Sequence, residues 1–194
     1  MNKLLIATTN PAKFAEYRKL LANSGMELVS LTDVGLSEIP QETGKTFEEN
    51  AIIKAKFYSQ KCGLPALADD GGLEIEAIGQ SGIHTPNLPD EEIINDIINR
   101  MKNVPEDQRK CKLSVAIALS TPYGIMTSFS DVVGTIPLKP SEKRLAGYPF
   151  RSLIFLPSYN KYYIDITDEE DEVLNHRRHA LEKIQDMVQE LSNR

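Results

Sequence analysis

Four stretches of the chain carry side chains that could handle a phosphate, a divalent cation or a ring. The first is Ala7-Thr8-Thr9-Asn10-Pro11-Ala12-Lys13. If a helix starts at Pro11, its first turn offers free backbone N–H groups and a partial positive charge. The hydroxyls of Thr8 and Thr9, the amide of Asn10 and the ammonium of Lys13 add donors that suit a phosphate. The same residues would also serve an ordinary capped helix with a surface lysine. The spacing is not that of a Walker A loop.

The second stretch is Asp69-Asp70-Gly71-Gly72. Side chains alternate along an extended chain, so one aspartate can face a ligand while its neighbour packs or caps. A carboxylate there can bind magnesium or take a proton from water. Glycines let the backbone turn and let a ligand approach. A plain Asp-Gly turn between strands fits as well. The third stretch holds Glu42, Glu48, Glu49, Asn50 and Lys54. Asn50 and Lys54 are four apart and share a helix face, whereas acids in a first helical turn are favourable with no ligand at all. The fourth is Asn175-His176-Arg177, which reads either as a solvated basic patch on a helix or as a group that stacks on and hydrogen-bonds a nucleobase.

The elements that must position these residues follow from the apolar pattern. Leu4 to Ala7 is a short continuous apolar run, as in a strand covered on both faces. Asn10 and Pro11 then open a helix over 11–21, with Phe14, Tyr17, Leu20 and Leu21 on one face. A strand is expected over 26–31, and turns over 32–45. A helix is expected over 46–61, opened by a Thr46/Glu49 capping box. Residues 65–68 read as a buried strand ending in the Asp-Asp-Gly-Gly stretch, and Leu73, Ile75 and Ala77 alternate as in a second strand. The pattern predicts a loop over 79–90, a helix over 91–101, and strands over 113–119 and 125–133 joined at Thr121-Pro122-Tyr123-Gly124. It further predicts a loop with a basic tip over 134–149, strands over 151–156 and 162–166, and a last helix over 169–191.

With 194 residues, 41% hydrophobic and 26% charged, the chain fits one folded domain or one domain of two lobes. Its net charge of -6 argues against a nonspecific grip on nucleic acid, which needs a broad basic face. Cys62 and Cys111 form no CxxC or zinc pattern and read as reduced thiols. No apolar run is long enough for a signal core or a membrane span, so the expectation is a cytoplasmic protein.

Taken in order, TTNPAK, ETGKTFEENAIIKAK and ALADDGGLEIEAIG resemble the inosine triphosphate pyrophosphatase family, densely over residues 1–83 and loosely beyond. The resemblance implies an α/β fold, ITPase/Maf-like, with a long mixed sheet, flanking helices and two lobes around a central cleft, in a single domain over 1–194. It implies a magnesium-dependent homodimer that hydrolyses non-standard purine nucleoside triphosphates (ITP, dITP, XTP) to monophosphate and pyrophosphate. By the same resemblance, Thr8, Thr9, Asn10 and Lys13 match the phosphate-binding turn, Thr9 standing where members carry glycine. Glu42 matches a metal-binding glutamate, and Asn50 and Lys54 match positions near the phosphates. Asp70 matches the proton acceptor and metal contact, with Asp69 its acidic neighbour at the metal. Gly71 stands where members have serine. His176 and Arg177 match a pair that contacts the base.

The base-reading half departs from the family. Members carry Gly-Phe-Gly-Tyr-Asp-Pro where this chain has Gly147-Tyr148-Pro149-Phe150-Arg151-Ser152. Phe150 can still stack on a base, but the aspartate has become Arg151 and an expected lysine has become Asp171. The two opposite changes lead to the expectation of a swapped ion pair; drift in a relaxed pocket or a misplaced gap would also account for them. Ile83-His84-Thr85-Pro86 replaces a segment with Ser and Arg. The alternatives to the family activity are a changed base preference or a catalytically weak nucleotide-binding protein.

Overall fold

The computed structural model describes residues 2–79, 82 and 88–192. The expectations for 83–86 therefore lie outside the described residues. The fold is α/β, with one mixed sheet of seven strands in the order β2-β1-β3-β4-β5-β6-β7. The strands are β1 (Lys3–Ile6), β2 (Glu27–Val29), β3 (Ala66–Glu74), β4 (Lys110–Thr121), β5 (Gly124–Thr135), β6 (Phe155–Leu156) and β7 (Lys161–Tyr162). The helices are α1 (Pro11–Leu20), α2 (Phe47–Cys62), α3 (Asp90–Met101), α4 (Asp168–Leu174), α5 (His176–Glu182) and α6 (Gln185–Ser192). β1 pairs in parallel with β2 and with β3, placing Leu5 against Val29 and Ala66. β6 pairs antiparallel with β5 and with β7.

The chain divides into two compact units, one of residues 1–70, 115–130 and 177–194, the other of 71–114 and 131–176. In the first, Leu4, Ile6, Leu67, Val115, Ile117 and Leu119 meet Tyr17 of α1, Leu181 of α5, Ile184 of the turn after it and Val188 of α6. In the second, Leu73, Ile75, Ile94, Ile97, Met101, Ile154 and Tyr163 make the core. Arg109 is buried there, its guanidinium donating to the carbonyls of Met101, Val104, Ile136 and Pro137. Among the described residues no helix is long and apolar enough to cross a membrane.

Several local expectations change. β3 does not stop at the aspartates: it runs through Asp69-Asp70-Gly71-Gly72 to Glu74. Gly72 is required not by a turn but by close approach, since a Cβ there would lie 2.5 Å from the carbonyl oxygen of Gly82. After Ile75 the chain forms a short 3-10 turn, Glu76–Ile78, rather than a strand. Residues 149–152 form another 3-10 turn opened by Pro149, which fixes φ and donates no ladder bond, so the expected strand shrinks to Phe155–Leu156. The strand expected over 162–166 likewise shrinks to Lys161–Tyr162 and gives way to a 3-10 turn, Tyr163–Asp165. The Thr46 side chain accepts from the Glu49 N–H, but the Glu49 carboxylate accepts from Lys45 N–H, so the capping box is only half made. A complete box opens α4 instead, between Thr167 and Glu170.

The largest change is at the C-terminal end. The single helix expected over 169–191 is three helices. The first break falls at Asn175, whose ψ of 110° is extended.

Candidate functional site

In the first unit, α1 is capped as its sequence foretells. The Asn10 Oδ1 accepts from the backbone N–H of Ala12 at 2.9 Å and of Lys13 at 3.4 Å. Thr8 Oγ1 accepts from the Asn10 N–H at 3.1 Å. Two of the first-turn donors are thus already engaged by the cap. Thr8, Thr9, Asn10 and Pro11 line a groove of about 670 Å³ together with Ser30, Thr32, Asp33 and Ser37. The second set was not expected from sequence, because nothing in a turn-rich segment says which side of the molecule it closes on. Asp33 pins that segment by accepting from the Ser30 N–H and hydroxyl.

The same unit holds two charged groups. In the first, Lys54 Nζ lies 2.9 Å from Asp70 Oδ1 and 3.3 Å from Glu42 Oε2. Asn50, fully buried one helical turn earlier, donates from Nδ2 to Asp70 Oδ2 at 3.2 Å and accepts the Gly44 N–H on Oδ1 at 2.8 Å. The i,i+4 face of α2 therefore brings both residues to Asp70, as the spacing requires. Burial works to lower the Lys54 pKa, but the carboxylates of Asp70, Asp69 and Glu42 outweigh it and raise it. Two carboxylates and one ammonium leave one negative charge in excess. Glu48 and Glu49, by contrast, serve structure: Glu48 accepts from the Thr127 hydroxyl and Glu49 from the Lys45 amide.

In the second group, Lys13 Nζ lies 2.9 Å from Asp69 Oδ2. The same oxygen accepts from Arg177 Nε and Nη2, both at 3.3 Å. Arg177 Nη1 in turn reaches Glu16 Oε2 at 3.3 Å. Burial pushes the Asp69 carboxyl up, yet the charges of Lys13, Arg177 and Lys54 hold it well below the usual carboxylate range. Lys13 is lowered, because burial outweighs the attraction of Asp69. Removing one partner of such a buried pair costs about 3–5 kcal/mol, mostly the stranded charge. Glu16 was missed from sequence. It sits three residues after Lys13 on α1, and that spacing was its signal.

In the second unit, Arg151 and Asp171 meet: Nη2 to Oδ1 is 3.0 Å. The guanidinium carbon stands 4.4 Å from the Tyr163 ring centre and 5.7 Å from that of Tyr148. Asp171 Oδ2 accepts from Asn175 Nδ2 at 3.0 Å. His176 is buried, with Nδ1 3.4 Å from the Tyr163 hydroxyl. The expected ion pair of Arg151 with Asp171 is therefore made, in a setting of aromatic faces. Phe150 is half-buried and packs on the core of this unit. Gly71, with no side chain, contributes none of the hydroxyl that serine would.

The residues expected to act together are distributed as follows. Glu42, Asn50, Lys54 and Asp70 form one hydrogen-bonded set. Lys13, Asp69 and Arg177 form another, with Glu16. Neighbouring aspartates on β3 thus enter different sets, as strand alternation dictates. His176 belongs to one unit and Arg177 to the other. Among the described residues, no three Asp, Glu, His or Cys side chains gather to hold a metal.

Comparison with known proteins agrees with this arrangement of elements. The model of the Ham1 family matches residues 4–187. A dITP/XTP pyrophosphatase of Yersinia pseudotuberculosis is 32% identical over 98% of this chain and 100% of its own length. The structure of a HAM1 protein from Coxiella burnetii has a TM-score of 0.83 at 30% identity, covering 98% of this chain and 100% of that one. The Staphylococcus aureus Ham1 protein has a TM-score of 0.81 at 25% identity, covering 96% of this chain and 97% of that one.

Proposed function

The chain belongs to the Ham1 family, and we propose that it hydrolyses non-standard purine nucleoside triphosphates, of the dITP and XTP kind, to monophosphate and pyrophosphate. The observation that carries this reading is one hydrogen-bonded set: Lys54 and Asn50 donate to Asp70, and Lys54 also donates to Glu42. It is joined to the activity of the Yersinia relative, a dITP/XTP pyrophosphatase.

Glu42 and Asp70 fit a magnesium ion by the chemistry of their donors: hard oxygens that already converge on one cation, the Lys54 ammonium. Magnesium bound there would neutralise phosphate charge and favour departure of pyrophosphate. Asp70 takes the proton of a water whose oxygen attacks the α-phosphorus. A new P–O bond forms, the α–β bridging bond breaks, and pyrophosphate leaves with its electron pair. Lys13 and Lys54 stabilise charge on the phosphate oxygens, and the groove bounded by Thr8, Thr9 and Asn10 offers hydroxyl and amide donors to the same tail. Positioning supplies most of the acceleration in such chemistry. Phe150, Arg151 and His176 are proposed to read the base. The expected homodimer is retained as a proposal, checked by light scattering on the eluted protein.

The Arg151–Asp171 pair supports a second reading, the same reaction with a shifted base preference. A panel of nucleoside triphosphates with magnesium, scored for pyrophosphate against orthophosphate, separates the two. Turnover of ITP, dITP and XTP above all others supports the first, and preference for another base supports the second. Binding without turnover defeats both.

A further inference from the structure

Lys13, Asp69, Arg177 and Glu16 alternate in charge along three ion pairs, and the α1 backbone between Lys13 and Glu16 completes a ring. It starts on α1 at Lys13 and passes to Asp69 of β3 at 2.9 Å. It continues to Arg177 of α5 and returns to α1 at Glu16, each step 3.3 Å. Two cations and two anions leave the ring neutral. Asp69 has only 1% of its side-chain surface exposed, and Arg177 9%. One oxygen of Asp69, Oδ2, accepts from three N–H donors on two cationic side chains.

We infer that Asp69 is a positioning residue, which fixes the Lys13 ammonium at the phosphate end of the site and does not ligate the metal. The inference rests on the function proposed above and deepens it. The contrast with the adjacent carboxylate decides the matter. Asp70 and Glu42 share a single ammonium and keep an excess negative charge, the condition a divalent cation needs. Asp69 is already balanced by two cations whose own charges oppose a third. Lys13 is a long, flexible side chain that ordinarily gives up rotamer freedom to hold one geometry. The ring meets that cost in advance, because Arg177 anchors the carboxylate and Glu16 anchors Arg177. Lys13 and Glu16 sit one turn apart on the same helix, so the ring also fixes the start of α1, where Thr8, Thr9 and Asn10 lie.

The test uses the full chain and inorganic pyrophosphate as the probe, with binding measured by calorimetry across a magnesium series. Lys13→Met and Asp69→Asn are each expected to weaken pyrophosphate by about fivefold or more, the scale of a lost charge-assisted hydrogen bond. The double variant is expected within about twofold of Lys13→Met alone, since one residue acts through the other. Magnesium at half-maximal binding stays within about twofold of wild type in all three, whereas Glu42→Gln shifts it about tenfold. The double variant removes one charge of each sign and keeps the Arg177–Glu16 pair. Its comparison with Lys13→Met therefore decides even where Asp69→Asn alone unfolds. A magnesium shift in the double variant as large as that of Glu42→Gln overturns the inference, as do losses that multiply. A wild-type chain that does not bind pyrophosphate also overturns it. A wild-type chain that binds pyrophosphate and obeys the cycle but turns over no nucleoside triphosphate leaves the ring standing and defeats the proposed activity.

Discussion

The Arg151 guanidinium is held by Asp171, 3.0 Å from Nη2 to Oδ1, and lies over the Tyr163 ring at 4.4 Å. Ion pair and ring contact act on the same planar group, so its orientation is doubly determined. Arg151→Asp or Asp171→Arg alone puts like charges together and is expected to raise KM for the preferred triphosphate about tenfold. Exchanging the two residues restores KM to within about threefold of wild type if the pair acts as a unit. Steady-state kinetics on the four proteins checks this, and a double exchange no better than the singles counts against it.

Asp70 accepts from Lys54 and Asn50 through its two oxygens. Asp70→Asn keeps the shape and removes the proposed base. The expected result is a fall in kcat of about 100-fold or more, with the far-UV circular dichroism spectrum unchanged. Near-normal turnover in this variant would remove Asp70 from the proton-accepting role.

A chelator is expected to stop pyrophosphate release, and added magnesium to restore it. Glu42→Gln keeps the fold, because Glu42 is partly exposed and its Lys54 partner retains Asp70. It raises the magnesium needed for half-maximal rate about tenfold, the scale of losing one carboxylate ligand. A metal titration of both proteins measures this, and identical curves exclude Glu42 from the metal.

Gly44 presses on the residue that holds Asp70. A Cβ on Gly44 would stand 2.5 Å from Asn50 Oδ1 and 2.8 Å from the Asn50 N. Gly44→Ala must therefore displace Asn50, whose other end donates to Asp70. The expected loss is about 1–3 kcal/mol of stability, with kcat falling more than KM rises. Thermal melts and kinetics together check this; a variant with wild-type kcat breaks the proposed link.

Burial pushes the Cys111 thiol up to about 12. At pH 8 only about one molecule in ten thousand carries that thiolate. Alkylation of the native protein followed by peptide mass spectrometry is expected to label the half-buried Cys62 and spare Cys111. Denaturation first labels both.

Much of the arrangement around α1, α2 and Asp70 was legible, because it depends on local rules. Asn10 caps α1 and Thr46 caps α2 as their residue types and positions require. Asn50 and Lys54 reach one carboxylate because they are four apart on a helix. The Arg151–Asp171 contact was readable from two opposite charges at unexpected positions. The break at Asn175 was not: the stretch around it carries no proline or glycine, and its helical pattern reads as continuous. At the break Asn175 is extended and buried, and its side chain donates to Asp171.

Sequence by itself determined which elements form where local chemistry is decisive, and which residues carry charge that can meet phosphate or metal. Only the tertiary structure decided how those charges are paired. Asp69 and Asp70 are the same residue type, adjacent on one strand, and nothing in their order separates them. Alternation sends one into a neutral ring with Lys13, Arg177 and Glu16, and the other to Lys54 and Asn50. The physical reason is that an ion pair depends on distance and burial in space. Its partners here lie up to 161 positions apart along the chain.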